Sequence, residues 1–296
     1  MKVFVTGANG QLGSDVIKAL KQQGHEAIGS DLTGAYALDI TNREAVLSML
    51  MALRPDAVIH CAAWTAVEAA EDAENRDKVR LINVQGTRNI AESCKIIGCK
   101  MMYISTDYVF SGTDDKPWET DDPTEPLNIY GQTKLEGELA VRELIEKYYI
   151  VRTSWIIGEH GSNFVKTMLR LAENHRELRV VDDQIGSPTF TVELAPLLCN
   201  MIETEKYGIY HATNEGFCSW AELAEAVFRL AGKDVAVRRV STEEYGAKAI
   251  RPKNSRLSKA SLDAGGFSRL PVWETSLARM MEKEKSNERT ECSPGL

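Results

Sequence analysis

The sequence predicts an α/β protein, with a doubly wound parallel sheet in its first half and a smaller C-terminal α/β lobe. Three observations carry this. Short, uniformly apolar runs such as "KVFVT" and "DAVIHCAA" recur through the first 150 residues; strands apolar on both sides belong to sheets covered on both faces. Segments of helical periodicity separate them, the spacing of right-handed crossovers. The turn "TGANGQLG" joins the first strand directly to the first helix, as in dinucleotide-binding units.

The elements follow in order. "KVFVTG" reads as a buried strand and "QLGSDVIKALKQQG" as an amphipathic helix closed by Gly24. "EAIGSD" is a second strand. "NREAVLSMLMALRP" is a helix capped by Asn42 or Thr41, with Pro55 beyond its end. "DAVIHCAA" is a third strand, "RLINVQGTRNIAESCKIIG" one long helix ending at Gly98, and "KMMYIST" a fourth strand. A loop rich in Pro and Asp leads to a helix over Tyr130 to Lys147, and "YIVRTS" is the next strand. Residues 1–153 are therefore expected to form the dinucleotide-binding domain, with segments around 190–213 returning to it. Residues 154–285 are expected to build mainly the substrate lobe. There "SWAELAEAVFRLAG" opens on a capping box, Ser219 with Glu222. The polar stretch 286–296 is expected to be disordered.

Composition narrows the function classes. The chain has 296 residues, is 26% charged and carries a net charge of −8 with no basic stripe, which excludes non-specific nucleic-acid binding. No apolar run approaches the ~20 residues of a membrane span, and the N-terminus meets glycine too early for a secretory segment. The six cysteines form no C-x-x-C pair and read as reduced thiols of a reducing compartment. A cytoplasmic protein without membrane contact is expected.

Gly7, Gly10 and Gly13 follow G-x-x-G-x-x-G spacing between a strand and a helix. Glycines there let the backbone approach a pyrophosphate at the helix N-terminus; a tight turn with close helix packing is the alternative. Together with the strand rhythm they make the sheet Rossmann-type. Asp31 ends the second strand, where an acid accepts from ribose hydroxyls and repels a 2′-phosphate. That favours NADH over NADPH, unless Asp31 only caps a turn. Asp39, followed by Ile40, is placed near the adenine or at a helix cap.

The fourth strand ends in "YISTDYVF", which sets Thr106 and Asp107 at the ligand crevice. "NIYGQTK" then puts Tyr130 and Lys134 on one helix face. A free phenol titrates near 10; an adjacent ammonium lowers that and lets the phenol pass a proton near neutral pH. Thr106 can hold a carbonyl oxygen. An exposed Tyr–Lys pair is the bland alternative.

"TGANGQLG", "STDYVF", "YGQTK" and "RTSW" resemble the extended short-chain dehydrogenase/reductase superfamily. With "DDQIGSPT" and "RPKNSRL" the chain resembles, over nearly its whole length, the dTDP-4-dehydrorhamnose reductase family. The resemblance implies NADH- or NADPH-dependent reduction of the C4 keto group of dTDP-4-dehydro-β-L-rhamnose to dTDP-L-rhamnose, for polysaccharide synthesis. It implies Tyr130 as proton donor, Lys134 as its tuner and ribose ligand, and Thr106 on the substrate oxygen. Gly7, Gly10, Gln11 and Leu12 would surround the pyrophosphate, and Ala62, Ala63, Trp64 and Thr65 line the cofactor. Asn83 would support the active-site water and backbone. Asp107, Trp155, Asn163, Lys166 and Arg251 are the expected substrate contacts, Trp155 on the sugar ring or else in core packing, and the next three near phosphate or else on a solvated surface.

Two departures stand out. Ala69 replaces a lysine common in the family. Asp15 and Glu193 match positions where some members hold magnesium in a homodimer, but the third position is Lys283, so no metal is expected. A related nucleotide-sugar 4-keto reductase or epimerase would share every catalytic residue. A regulatory subunit resembling that of methionine adenosyltransferase is the non-catalytic alternative.

Overall fold

The computed structural model describes the backbone of residues 1–291 and the side chains of 1–284. Apart from helical backbone to Glu291, the tail expected to be disordered lies outside the described residues.

The central sheet is fully parallel. Its strands are β1 (Lys2–Thr6), β2 (Glu26–Ser30), β3 (Ala57–His60), β4 (Lys100–Thr106), β5 (Tyr148–Thr153) and a sixth strand, Gly208–His211. Across the sheet they run sixth–β5–β4–β3–β1–β2. Chain order reverses at β1, so the crevice at the strand C-termini opens beside it. Side chains alternate across each strand. Val3 and Val5 pack under helix α1 (Gln11–Gln22) and the Thr191–Ile202 helix. Phe4 faces α2 (Arg43–Leu53) and the Thr87–Ile97 helix. The sequence therefore has to be apolar on both sides of the sheet, as read.

Local signals end the helices where expected. Gly24 and Gly98 adopt positive φ beyond α1 and the Thr87–Ile97 helix. Asn42 caps α2, its Oδ1 accepting from Ala45 N at 3.0 Å. Both capping-box bonds of Ser219 and Glu222 form at the head of the Trp220–Ala231 helix. One expectation is corrected. The segment read as a single helix over 80–98 is α-helical at Arg76–Arg80 and Thr87–Ile97 but makes a π turn at Leu81–Gly86. Such turns insert a residue into the helix and are frequent at functional sites; here it buries Asn83.

The second lobe has its own core, with Val165, Met168, Val180, Phe228, Trp273 and Leu277. A parallel pair, Glu177–Val181 with Ala236–Val240, forms its small sheet; the latter strand was not read from the sequence, since Arg238 and Arg239 hide its pattern. Among the described residues no helix is long and apolar enough to cross a membrane.

Candidate active site

A cleft of about 720 Å³ opens at the C-terminal ends of the central strands. One end is the glycine loop. Gly7 has φ +65°, and a Cβ there would sit 2.8 Å from Ala62 N; a Cβ on Gly13 would lie 2.1 Å from Gly7 O. The backbone therefore packs as closely as glycine allows. Helix α1 starts at Gln11 without a side-chain cap, so its first-turn N–H donors border the cleft unmasked. That cradle fits a pyrophosphate. Gly10, Gln11, Leu12, Asp31, Asp39, Ile40, Ala62, Ala63 and Thr65 also line the cleft.

Their detailed bonding refines the sequence reading. Asp31 accepts from Asn9 N at 3.0 Å and Leu32 N at 2.8 Å, so it does close a turn. Asp39 accepts from Thr41 N and Oγ1 at 2.9 and 2.7 Å. Trp64 and Asn83 do not line the cleft; they shape it. Asn83 Oδ1 accepts from Trp64 N at 2.8 Å, and its Nδ2 donates to Trp64 O at 3.2 Å and Thr133 Oγ1 at 3.0 Å. One buried amide thus ties the loop after β3 to the helix that carries Tyr130.

At the other end Thr106, Asp107, Tyr130 and Lys134 meet. Asn128 caps the Ile129–Leu144 helix through Gly131 N at 2.8 Å, and its Nδ2 donates to Ile250 O at 2.8 Å. Thr106 donates to Asp107 Oδ1 at 3.0 Å and accepts from Tyr108 N at 3.2 Å. The Tyr130 ring meets Tyr108 edge-on at 5.8 Å. Burial pushes the Tyr130 phenol well up, Asp107 adds to this, and the hydrogen bond with Thr106 opposes it. The sequence reading expected Lys134 to lower that phenol. Instead its Nζ donates to Ile104 O at 2.7 Å and lies 4.0 Å from the Tyr103 ring centre. Burial draws the ammonium down to about 7, with Glu138 and Cys61 opposing. Burial also raises Asp107 to about 6. Desolvation outweighs a single neighbouring charge here.

Trp155 lines the cleft in a left-handed conformation, φ +47°, which is sterically costly for such a bulky residue. It stacks on Trp220 at 3.6 Å between centroids and 15° between planes, and Thr189 N donates to its carbonyl at 3.0 Å. Trp220 lines the cleft too. The sequence reading missed it; its place just after the Ser219 cap, at a helix head, was the available signal.

The remaining predicted contacts are elsewhere. Asn163 caps the Phe164–Leu171 helix and donates to Gly158 O at 2.8 Å and Gln11 Oε1 at 3.1 Å. Lys166 Nζ donates to the carbonyls of Glu159 and Gly161. Arg251 pairs with Glu68 at 2.6 Å. None of the three lines the cleft; backbone carbonyls and a carboxylate already hold their polar groups. Asp15 bonds Lys18 and Thr191, Glu193 bonds Asn214 and Ser276, and Lys283 pairs with Glu159.

The family model described as the RmlD substrate binding domain matches residues 1–286. The chain belongs to this family. A curated relative, the spore coat polysaccharide biosynthesis protein SpsK of Bacillus subtilis, is 42% identical over 96% of this chain and 98% of its own length. The dTDP-4-dehydrorhamnose reductase of Streptomyces griseus is 40% identical over 93% of the chain and 91% of its own. The solved dTDP-4-dehydrorhamnose reductase of Bacillus anthracis, in complex with NADP, superposes with a TM-score of 0.91 at 44% identity, covering 96% of this chain and all of that one.

Proposed function

We propose that this oxidoreductase reduces the C4 keto group of dTDP-4-dehydro-β-L-rhamnose with a nicotinamide cofactor, giving dTDP-L-rhamnose for polysaccharide synthesis. The observation that carries this is a single cleft with a glycine cradle at one end and the Thr106–Tyr130 hydroxyl pair at the other. Bound along the cradle, NAD(P)H supplies a hydride. The chain's own residues do the rest. Thr106 and Tyr130 converge on the position of a carbonyl oxygen, and Tyr130 gives its phenolic proton to that oxygen as it gains charge. Lys134 keeps a positive charge beneath it. The Trp155–Trp220 stack walls the sugar from water, and Asp107 offers a carboxylate to a sugar hydroxyl. Asn163, Lys166 and Arg251 act through the loops they hold, beside the substrate diphosphate.

The assay follows NADH absorbance with the keto-sugar nucleotide made in situ. No oxidation of either NADH or NADPH by wild type defeats this reading of the substrate.

Asp31 further supports NADH as the preferred reductant, because its carboxylate stands at the end of β2, where a ribose 2′-phosphate would meet its charge. Replacing it by alanine is expected to lower the NADH-to-NADPH ratio of kcat/KM about tenfold, the worth of roughly 1.4 kcal/mol. An unchanged ratio removes Asp31 from cofactor choice. The same reading makes the protein a cytoplasmic homodimer that contacts neither nucleic acid nor membrane; light scattering checks the dimer.

A further inference from the structure

The Tyr130–Lys134 stripe continues one more turn. Glu138 follows Lys134 by four residues on the same helix face and is 1% exposed. Its carboxylate takes a bidentate ion pair from Arg152 on β5, Nε to Oε1 at 2.9 Å and Nη2 to Oε2 at 2.8 Å. Ser105 on β4 donates to Oε1 at 2.5 Å. Arg152 in turn donates to Thr120 O at 3.1 Å, lies 5.0 Å from the Phe110 ring centre and meets His211 Nε2 at 3.5 Å. His211 Nδ1 is 3.1 Å from Trp118 O, so the imidazole is neutral, with its proton on Nδ1 and Nε2 free to accept from Arg152; burial and Arg152 hold it near 3.

A buried ion pair is weak evidence for stability, because an apolar pair of the same shape is often at least as stable. Its presence directly behind the reacting groups therefore calls for another reason. Lys134 has neutral company from the other elements: His60 and the Cys61 thiol at the end of β3 and Tyr103 on β4. On its own helix Tyr130 stands one turn back and Glu138 one turn on. Glu138 is the carboxylate that acts on Lys134, ahead of the Cys61 sulfur.

We propose that Glu138 is a positioning residue that supplies the buried counter-charge holding Lys134 as an ammonium and, through Arg152 and Ser105, locks the Tyr130 helix to the ends of β4 and β5. The inference rests on the reductase reading, which the wild-type assay tests separately.

E138Q keeps the shape and removes the charge. Without the anion, the ammonium is lost at lower pH as pH rises. The alkaline limb of kcat/KM is expected to move down by about one pH unit, with a higher KM for the cofactor. R152K retains the cation but not the fork; kcat falls at every pH and the limb stays. If E138Q fails to fold, E138D, which withdraws the charge by one methylene, should move the limb the same way by less. A limb that stays at its wild-type pH in the glutamine variant, or in the aspartate variant if only that one folds, overturns the proposal, whatever happens to kcat.

Discussion

Tyr130→Phe is expected to lower kcat by about 10²–10⁴-fold, the usual worth of a positioned general acid. The substitution removes one oxygen and leaves the ring against Tyr108. Stability should fall by only about 0.5–1.5 kcal/mol, for the hydrogen bond with Thr106. Burial and Asp107 raise the phenol, so it carries its proton throughout the neutral range. In the proposed reaction it would act as a stored acid, released to an oxygen only when that oxygen becomes basic. The alkaline side of the profile is set first by Lys134. Its ammonium form is present below about 7 and lost above it, so the rate should decline as pH rises from there. Single-turnover NADH oxidation with a parallel thermal melt checks both points. A phenylalanine variant that oxidises NADH as fast as wild type removes Tyr130 from the chemistry.

Gly131→Ala should cost about 10²-fold in kcat/KM and about 1–3 kcal/mol of stability. A Cβ at Gly131 would stand 2.2 Å from Tyr108 O and 3.2 Å from Pro126 Cβ. The first obstacle is backbone and cannot rotate away. The helix head must retreat by about 1 Å to restore ordinary contact, and misplacement of that size at a reacting group is costly. Asn128, which caps through Gly131 N, would be displaced with it. Tyr130 then separates from Thr106, so the KM for cofactor should change little while kcat falls. A variant with wild-type kcat would mean that the helix head yields without moving Tyr130. "NIYGQTK" thus holds more than the candidate donor and its lysine: its glycine sets how close the helix can come to the turn at Tyr108 that follows β4.

Much of the site was legible because its signals are local. Strand ends, the glycine turn and four-residue helix spacing each reflect the chain's own geometry, and Gly7, Gly10, Thr106, Tyr130 and Lys134 all line one cleft. What the sequence left open was which groups the folded chain brings together, whether near in sequence or far. Lys166 and Arg251 looked free in sequence but are held by Glu159 and Gly161 and by Glu68. Trp220 looks like an ordinary helix head in sequence; only the fold stacks it on Trp155 at the cleft wall. The π turn escaped because its residues carry a plain helical pattern, and one inserted residue leaves no mark in composition.

From the sequence alone came the parallel α/β class, the glycine junction between the first strand and helix, and the candidate groups Thr106, Tyr130 and Lys134. Hydrophobic period, turn chemistry and residue type act over a few residues, and no distant contact is needed to express them. The electrostatics came only with packing. Whether Tyr130 is raised or lowered depends on how much water its surroundings exclude and on where Lys134, Asp107 and Glu138 point. Desolvation is a property of the packed interior and not of any neighbour in the chain. For the same reason the Glu138–Arg152 pair, 14 residues apart in sequence, takes on meaning only once helix and strand are stacked.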